Sequence, residues 1–423
     1  MPNGAEDAYH KLRAMGEGRS VYVEKLTIRN FRCFEETELE LNYPGRRSSP
    51  RHKAPNHLDN VNLFLGDNGS GKSAVFKAVS LVSLNYLTHS SGFKSDFLVR
   101  RFPSGSTNQD ANSAVVTADF LLEPIEQASP LTNRSSVTES VEIRRRGDIE
   151  QVVTAEDTFS IAWLSDDSST FFIAGYGASR RSERPEGYSE TNRTVRYQRV
   201  AGLFEDHVGL VPFTYGYLQL LKRNRFAEAR DTLNALMPDR VDLSEAVDEQ
   251  DRPLFDVNGV LLPFNALSDG YRTFIGWVWD LLVQIARVQD DDKKLTDMPG
   301  VVIVDEIDLF LHPEWQRVVV EQVAKAFPKL QFLFSTHSPL VAGTLEPENI
   351  YVMETDHNGA AVVRQYQENI YGKTANQVLT SSYFGLASTR APGTGTLSDM
   401  AARTLEQDPE RTAARILEEI GAE

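Results

Sequence analysis

The residues with the clearest chemical potential are Gly66, Asp67, Asn68, Gly69, Ser70, Gly71, Lys72 and Ser73, which follow the apolar run Val61–Leu65 and precede Ala74–Val79. They satisfy the full G-x-x-x-x-G-K-[ST] pattern, in the strand, loop and helix order that a phosphate-binding loop requires. Glycines let backbone N–H groups turn inward around an anion, and the helix starting near Gly71 adds the positive end of its dipole. In such a loop Asn68, Gly69 and Ser70 wrap the phosphates and Lys72 reaches the terminal ones. The Ser73 hydroxyl ligates Mg²⁺, so the expected ligands are ATP and Mg²⁺.

Three further stretches carry weaker signals. Leu267-Ser268-Asp269-Gly270 precedes an apolar helix expected from about Thr273 to Val288. By itself it reads as a turn in which Ser268 or Asp269 caps that helix. Val301–Val304 is an apolar strand ending in Asp305 and Glu306, a pattern open to a structural reading or to a metal ligand followed by a general base. Gln331–Ser335 is another apolar strand and ends in Thr336-His337-Ser338, where His337 either contacts a phosphate or packs as a cap.

Taken together and in order, these pieces resemble the Walker A, signature, Walker B and H-loop of ABC-type ATPases. Leu26–Arg32 and Leu311-His312-Pro313 make the resemblance closest to the RecF, SMC and OLD-like branch. It extends over roughly residues 21 to 353. It implies that Lys72 and Ser73 bind ATP, that Asp305 with Ser73 holds Mg²⁺, that Glu306 is the general base and that His337 senses the γ-phosphate. Ser268 and Gly270 would complete the site of a second protomer in a head-to-head dimer. Two departures stand out: the signature reads Ser-Asp-Gly-Tyr-Arg, and Tyr176–Arg180 occupies the place of the Q-loop without its glutamine. No acidic nuclease module of the OLD type follows His337. Gly372–Leu379 and Tyr383–Leu386 are similar to the tails of ATPase subunits from Septu or retron-associated antiphage systems. The resemblance thus implies an ATPase that gates a separately encoded effector, such as a nuclease. The alternatives are a DNA-repair or chromosome-maintenance ATPase acting on DNA, and an ATP-gated scaffold with little turnover.

The elements that must position these residues follow from periodicity. Val21–Ile28 and Thr37–Leu41 read as two strands, and the helix after the P-loop as continuing to about Leu87. Ala114–Leu122, Val137–Arg145 and Phe171–Ala174 read as further strands without intervening helices, which predicts an antiparallel subdomain beside the nucleotide core. Residues 214 to 237 have helical spacing closed by Pro238. The expected fold is α/β, a P-loop NTPase of ABC type with an antiparallel β subdomain and a small helical lobe. The expected divisions are an N-terminal ATPase lobe over 1–190, the helical lobe over 191–265, a C-terminal ATPase lobe over 266–353 and a tail over 354–423.

Composition limits the rest. The chain has 423 residues, a net charge of −16 and one cysteine, Cys33. These values exclude an internal disulfide and a wholly basic surface, and predict a cytoplasmic protein with no membrane span. Any DNA or RNA contact would need a local patch. The Arg180–Arg199 segment, with six arginines against three glutamates, reads as such a patch or as a solvated connector. The basic run from Arg46 to His57 is open to the same two readings.

Overall fold

A computed structural model describes residues 19–46, 58–89, 91–102, 110–124, 135–154, 171–180, 195–238 and 241–389. The strands are β1 (Arg19–Arg29), β2 (Glu36–Glu40), β3 (Val61–Gly66), β4 (Ser113–Pro124), β5 (Ser135–Arg146), β6 (Ile149–Thr154), β7 (Ile173–Tyr176), β8 (Val241–Val247), β9 (Pro253–Val257), β10 (Val260–Pro263), β11 (Gly300–Val304), β12 (Leu330–Thr336), β13 (Ile350–Thr355) and β14 (Ala361–Arg364).

The central sheet has the order β14-β13-β3-β12-β11-β7 and is parallel except at its β14 edge. Strands β3, β12 and β11 are buried along nearly all their length, as their apolar runs require when both faces are covered. Their register brings the carboxyl ends of β3, β12 and β11 to one edge, so the P-loop, His337 and Asp305 share a crevice.

Helix Lys72–Leu84 lies between this sheet and a second, antiparallel one of order β2-β1-β4-β5-β6. The helix is buried on nearly all sides because it is covered on both faces. It stops at Leu84, earlier than its apolar spacing suggests, where Asn85 adopts φ 40° and a short 3₁₀ turn takes over. The two sheets are also joined by Gln331, whose amide accepts from Val23 N–H at 2.9 Å and donates to the Val23 and Asn42 carbonyls at 2.7 Å. The opposite face of the central sheet is covered by helices Phe213–Lys222, Phe226–Leu236, Asp269–Val288 and Val319–Ala326, with Trp277 and Trp279 buried among them.

Three sequence expectations change. Strand β7 is not part of the antiparallel subdomain: it pairs in parallel with β11, because all four of its residues are buried and match Val301–Val304 in register. The 191–265 segment is not only helical, since β8, β9 and β10 form an antiparallel sheet after the helices. Past residue 353, β13 ends and β14 closes the edge of the central sheet, so this part of the tail belongs to the core.

Candidate nucleotide site

The P-loop begins where β3 ends and turns on glycines that no other residue could replace without cost. Gly66, Gly69 and Gly71 have φ of 149°, 79° and 110°, a range in which a side chain is strained. At Gly71 a Cβ would also come within 2.7 Å of the Cys33 sulfur, and at Gly66 within 2.7 Å of the Met353 carbonyl oxygen. The loop is therefore braced by the β1–β2 turn and by β13. Lys72 lies inside it, its ammonium donating to the carbonyl oxygens of Gly66 and Asp67 at 2.8 and 3.0 Å. Burial lowers the Lys72 pKa, against the opposing pull of Asp305, Glu306, Asp67 and Asp308.

Across the crevice, Ser73 donates to Asp305 Oδ2 at 2.6 Å, so the two expected Mg²⁺ ligands already touch. Ser335, the penultimate residue of β12, donates its hydroxyl to Asp305 Oδ1 and accepts from Glu306 N–H at 2.8 Å. Glu306 has φ 51°, an uncommon conformation for a residue with a side chain. Its backbone is held there by Ser335 on one side and by Arg180, which donates to the Glu306 carbonyl at 2.7 Å, on the other. Thr336 donates to Asp308 and accepts from Ser338 N–H, orienting the turn that carries His337.

Asn68, Gly69, Gly71, Lys72, Ser73, Asp305, Glu306 and His337 all line one cleft of about 750 Å³. Ser70 lies in the loop itself, with its Oγ buried and without a hydrogen-bond partner among the described residues. The inward-facing cradle, the buried cation and the touching hydroxyl–carboxylate pair fit a nucleoside triphosphate with Mg²⁺. Ser268 and Gly270 do not join this cleft. They line a separate pocket with Tyr271, Phe310 and Trp315, where a Cβ on Gly270 would come within 2.5 Å of the Phe310 carbonyl.

Sequence reasoning missed Arg32, Arg100, Arg101 and Phe97, which line the same cleft. Arg100 is buried and paired with Glu35 at 3.0 Å, and Arg101 lies 4.3 Å over the Phe97 ring. A double arginine flanked by aromatics at 97 and 102 was the available signal. Ser335 was missed because a serine inside an apolar strand has no signature of its own.

The described part of the Arg180–Arg199 segment does not form an exposed patch. Arg180, Arg196 and Arg199 are buried, and the last two stack on Phe171 and Phe172 at 4.7 and 5.0 Å. These two aromatic rings, just before β7, draw the guanidinium groups inward. Residues 181–194, like the run from Arg47 to His57, lie outside the described residues.

Residues 61–343, more than half of the chain, match the family AAA_21, described as "AAA domain, putative AbiEii toxin, Type IV TA system". The chain belongs to this AAA family. The match runs from the first residue of β3 to just past helix Pro339–Ala342, and so takes in every motif of the site except β13. Among relatives of this AAA ATPase domain is the Septu protein PtuA of Bacillus mycoides (strain KBAB4), 26% identical over 378 residues, covering 88% of this chain and 46% of that one. Another is the "Retron Ec83 probable ATPase" of Escherichia coli, 34% identical over 101 residues, covering 24% of this chain and 19% of that one. The chain thus spans less than half the length of these relatives. An SMC head, solved bound to the C-winged helix domain of ScpA, shares the fold with a TM-score of 0.50 at 15% identity, covering 82% of this chain and 97% of that chain. The fold is that of an ABC-type ATPase of the RecF, SMC and OLD-like branch. Among the described residues no helix is long and apolar enough to cross a membrane.

Proposed function

We propose that the chain hydrolyses ATP at the cleft between the P-loop and β11, as the motor of a defence system whose effector is a separate protein. The observation that carries this reading is the Ser73–Asp305 contact, with Glu306 next in sequence and lining the same cleft as Lys72 and His337. Lys72 supplies positive charge to the phosphates, and bound Mg²⁺ would neutralise the charge that develops on the transferred group. Glu306 takes the proton of the attacking water, its backbone fixed by Ser335 and Arg180 so that the carboxylate need not search for its position. Asp308, in the turn beyond β11, accepts from Thr336 at the end of β12, which suits the adjoining His337 to contact the terminal phosphate.

The separate location of Ser268 and Gly270 supports a site completed by a second copy of the chain. Helix Asp269–Val288 packs in the core with helices 213–222 and 226–236, so closure of two heads would move that layer as a unit. The names of the Septu and retron relatives support the defence role and a partner effector such as a nuclease. Purified chain should release phosphate from ATP with Mg²⁺ and lose that activity in EDTA. A co-expressed nuclease from an adjacent gene should then change its cleavage with ATP, and a nuclease indifferent to ATP would remove the gating role.

A further inference from the structure

Beside the nucleotide cleft, at the β7 edge of the central sheet, is a second cavity of about 230 Å³. The end of β7, the turn Ala201–Leu203 and the helix Asp269–Val288 enclose it, and Arg180, Arg199, Gln198, Ser179 and His207 line it. Arg180 is only 9% exposed. Its Nη2 is used by the Glu306 carbonyl, while Nε and Nη1 are buried without a hydrogen-bond partner among the described residues. Buried polar groups in folded proteins are almost always paired, and a charged one left open is the costliest kind. Burial lowers the Arg180 pKa to about 10. Asp305, Glu306 and Asp308 oppose that shift through space, but none of them forms an ion pair with it among the described residues.

The rest of the lining is compatible with an anion. The guanidinium of Arg199, stacked 5.0 Å over Phe172, adds a second positive charge. Among the described residues the lining has one carboxylate, Asp280, whose oxygens already accept from Tyr176 Oη at 3.0 Å and Val211 N–H at 2.8 Å. Burial raises its pKa, against the hydrogen bonds from Val211 and Tyr176. The volume is far more than one water needs, roughly 10–15 Å³, and below the roughly 300–1,000 Å³ of sites that take whole small molecules.

We infer that this cavity binds a small tetrahedral oxyanion of the phosphate class, drawn by the buried positive charge of Arg180 at its wall. A guanidinium at the wall of a poorly hydrated cavity, with no carboxylate paired to it among the described residues, attracts such an ion through its charge. The assignment does not depend on hydrolysis at the neighbouring cleft.

Equilibrium dialysis of radiolabelled orthophosphate against the full chain tests it, with magnesium ADP in excess to fill the P-loop and chloride added to hold ionic strength constant. One phosphate per chain is expected, and binding should persist in Lys72→Ala. Arg180→Gln should weaken it at least tenfold. Gly202→Leu, which places a side chain in the cavity and leaves Arg180 intact, should do the same and serves if Arg180→Gln fails to fold. The native chain alone should also melt at a higher temperature in phosphate than in chloride. No phosphate binding by the native chain, or unchanged binding in either folded variant, overturns the proposal. So does a site that takes AMP but rejects orthophosphate.

Discussion

Ser73 and Asp305, 232 positions apart in the chain, are joined by a hydrogen bond of 2.6 Å across the crevice between the P-loop and β11. The bond exists because β12 pairs with both β3 and β11, setting their carboxyl ends level. The same register places Ser335 where one hydroxyl serves both Asp305 and Glu306.

If Glu306 is the general base, Glu306→Gln keeps the shape of the site and removes the proton acceptor. Turnover should fall by at least about a hundredfold while ATP affinity is retained. A filter-binding assay beside a phosphate-release assay separates the two quantities, and unchanged turnover removes Glu306 from the role.

Ser335→Ala leaves Asp305 Oδ1 and the Glu306 N–H without their shared partner in a fully buried place. A loss of about 1–3 kcal/mol of stability is expected from such an unmet pair. Turnover should fall as well, because Glu306 then lacks one of its two backbone supports. Thermal melting and steady-state kinetics would expose a variant as stable and active as the parent, which would make the bridge incidental.

The site shared between protomers is tested by mixing. Lys72→Ala and Ser268→Arg should each abolish hydrolysis alone, since each homodimer has two broken sites. In mixed dimers one site collects both defects and the other regains an intact Lys72 and Ser268, so some activity should return. Subunit exchange is verified with differently tagged chains. A mixture that exchanges and stays inactive would mean that Ser268 acts within its own chain or only as a helix cap.

Lys77 supplies a pH test. Burial, chiefly, with Arg32 adding repulsion, lowers its pKa from 10.5 to about 8. Between those values the unfolded chain binds more protons than the folded one, so stability should rise with pH through that window and the cost of the charge is fully present below about pH 8. Lys77→Met should therefore stabilise the fold at pH 7, by on the order of 1–2 kcal/mol after allowing for partial solvation. Its advantage should shrink toward pH 10. Denaturant melts at both pH values give the comparison, and an advantage that does not shrink would sink the assignment.

The sequence by itself determined the P-loop and the central strands. A P-loop works through local backbone geometry, so Gly66–Ser73 announces its conformation within eight residues. The runs at 61–65, 301–304 and 331–335 are apolar without alternation because both faces are covered, and that too is local information. Tertiary structure alone decided which sheet received β7, since a four-residue buried strand carries no mark of its partner. It also decided the fate of Arg196 and Arg199: a run of arginines reads as surface until Phe171 and Phe172 are seen beneath them. Arg180 is the sharpest case. Its hydrogen bond to the Glu306 carbonyl links positions 126 apart, and only the parallel pairing of β7 with β11 brings them together.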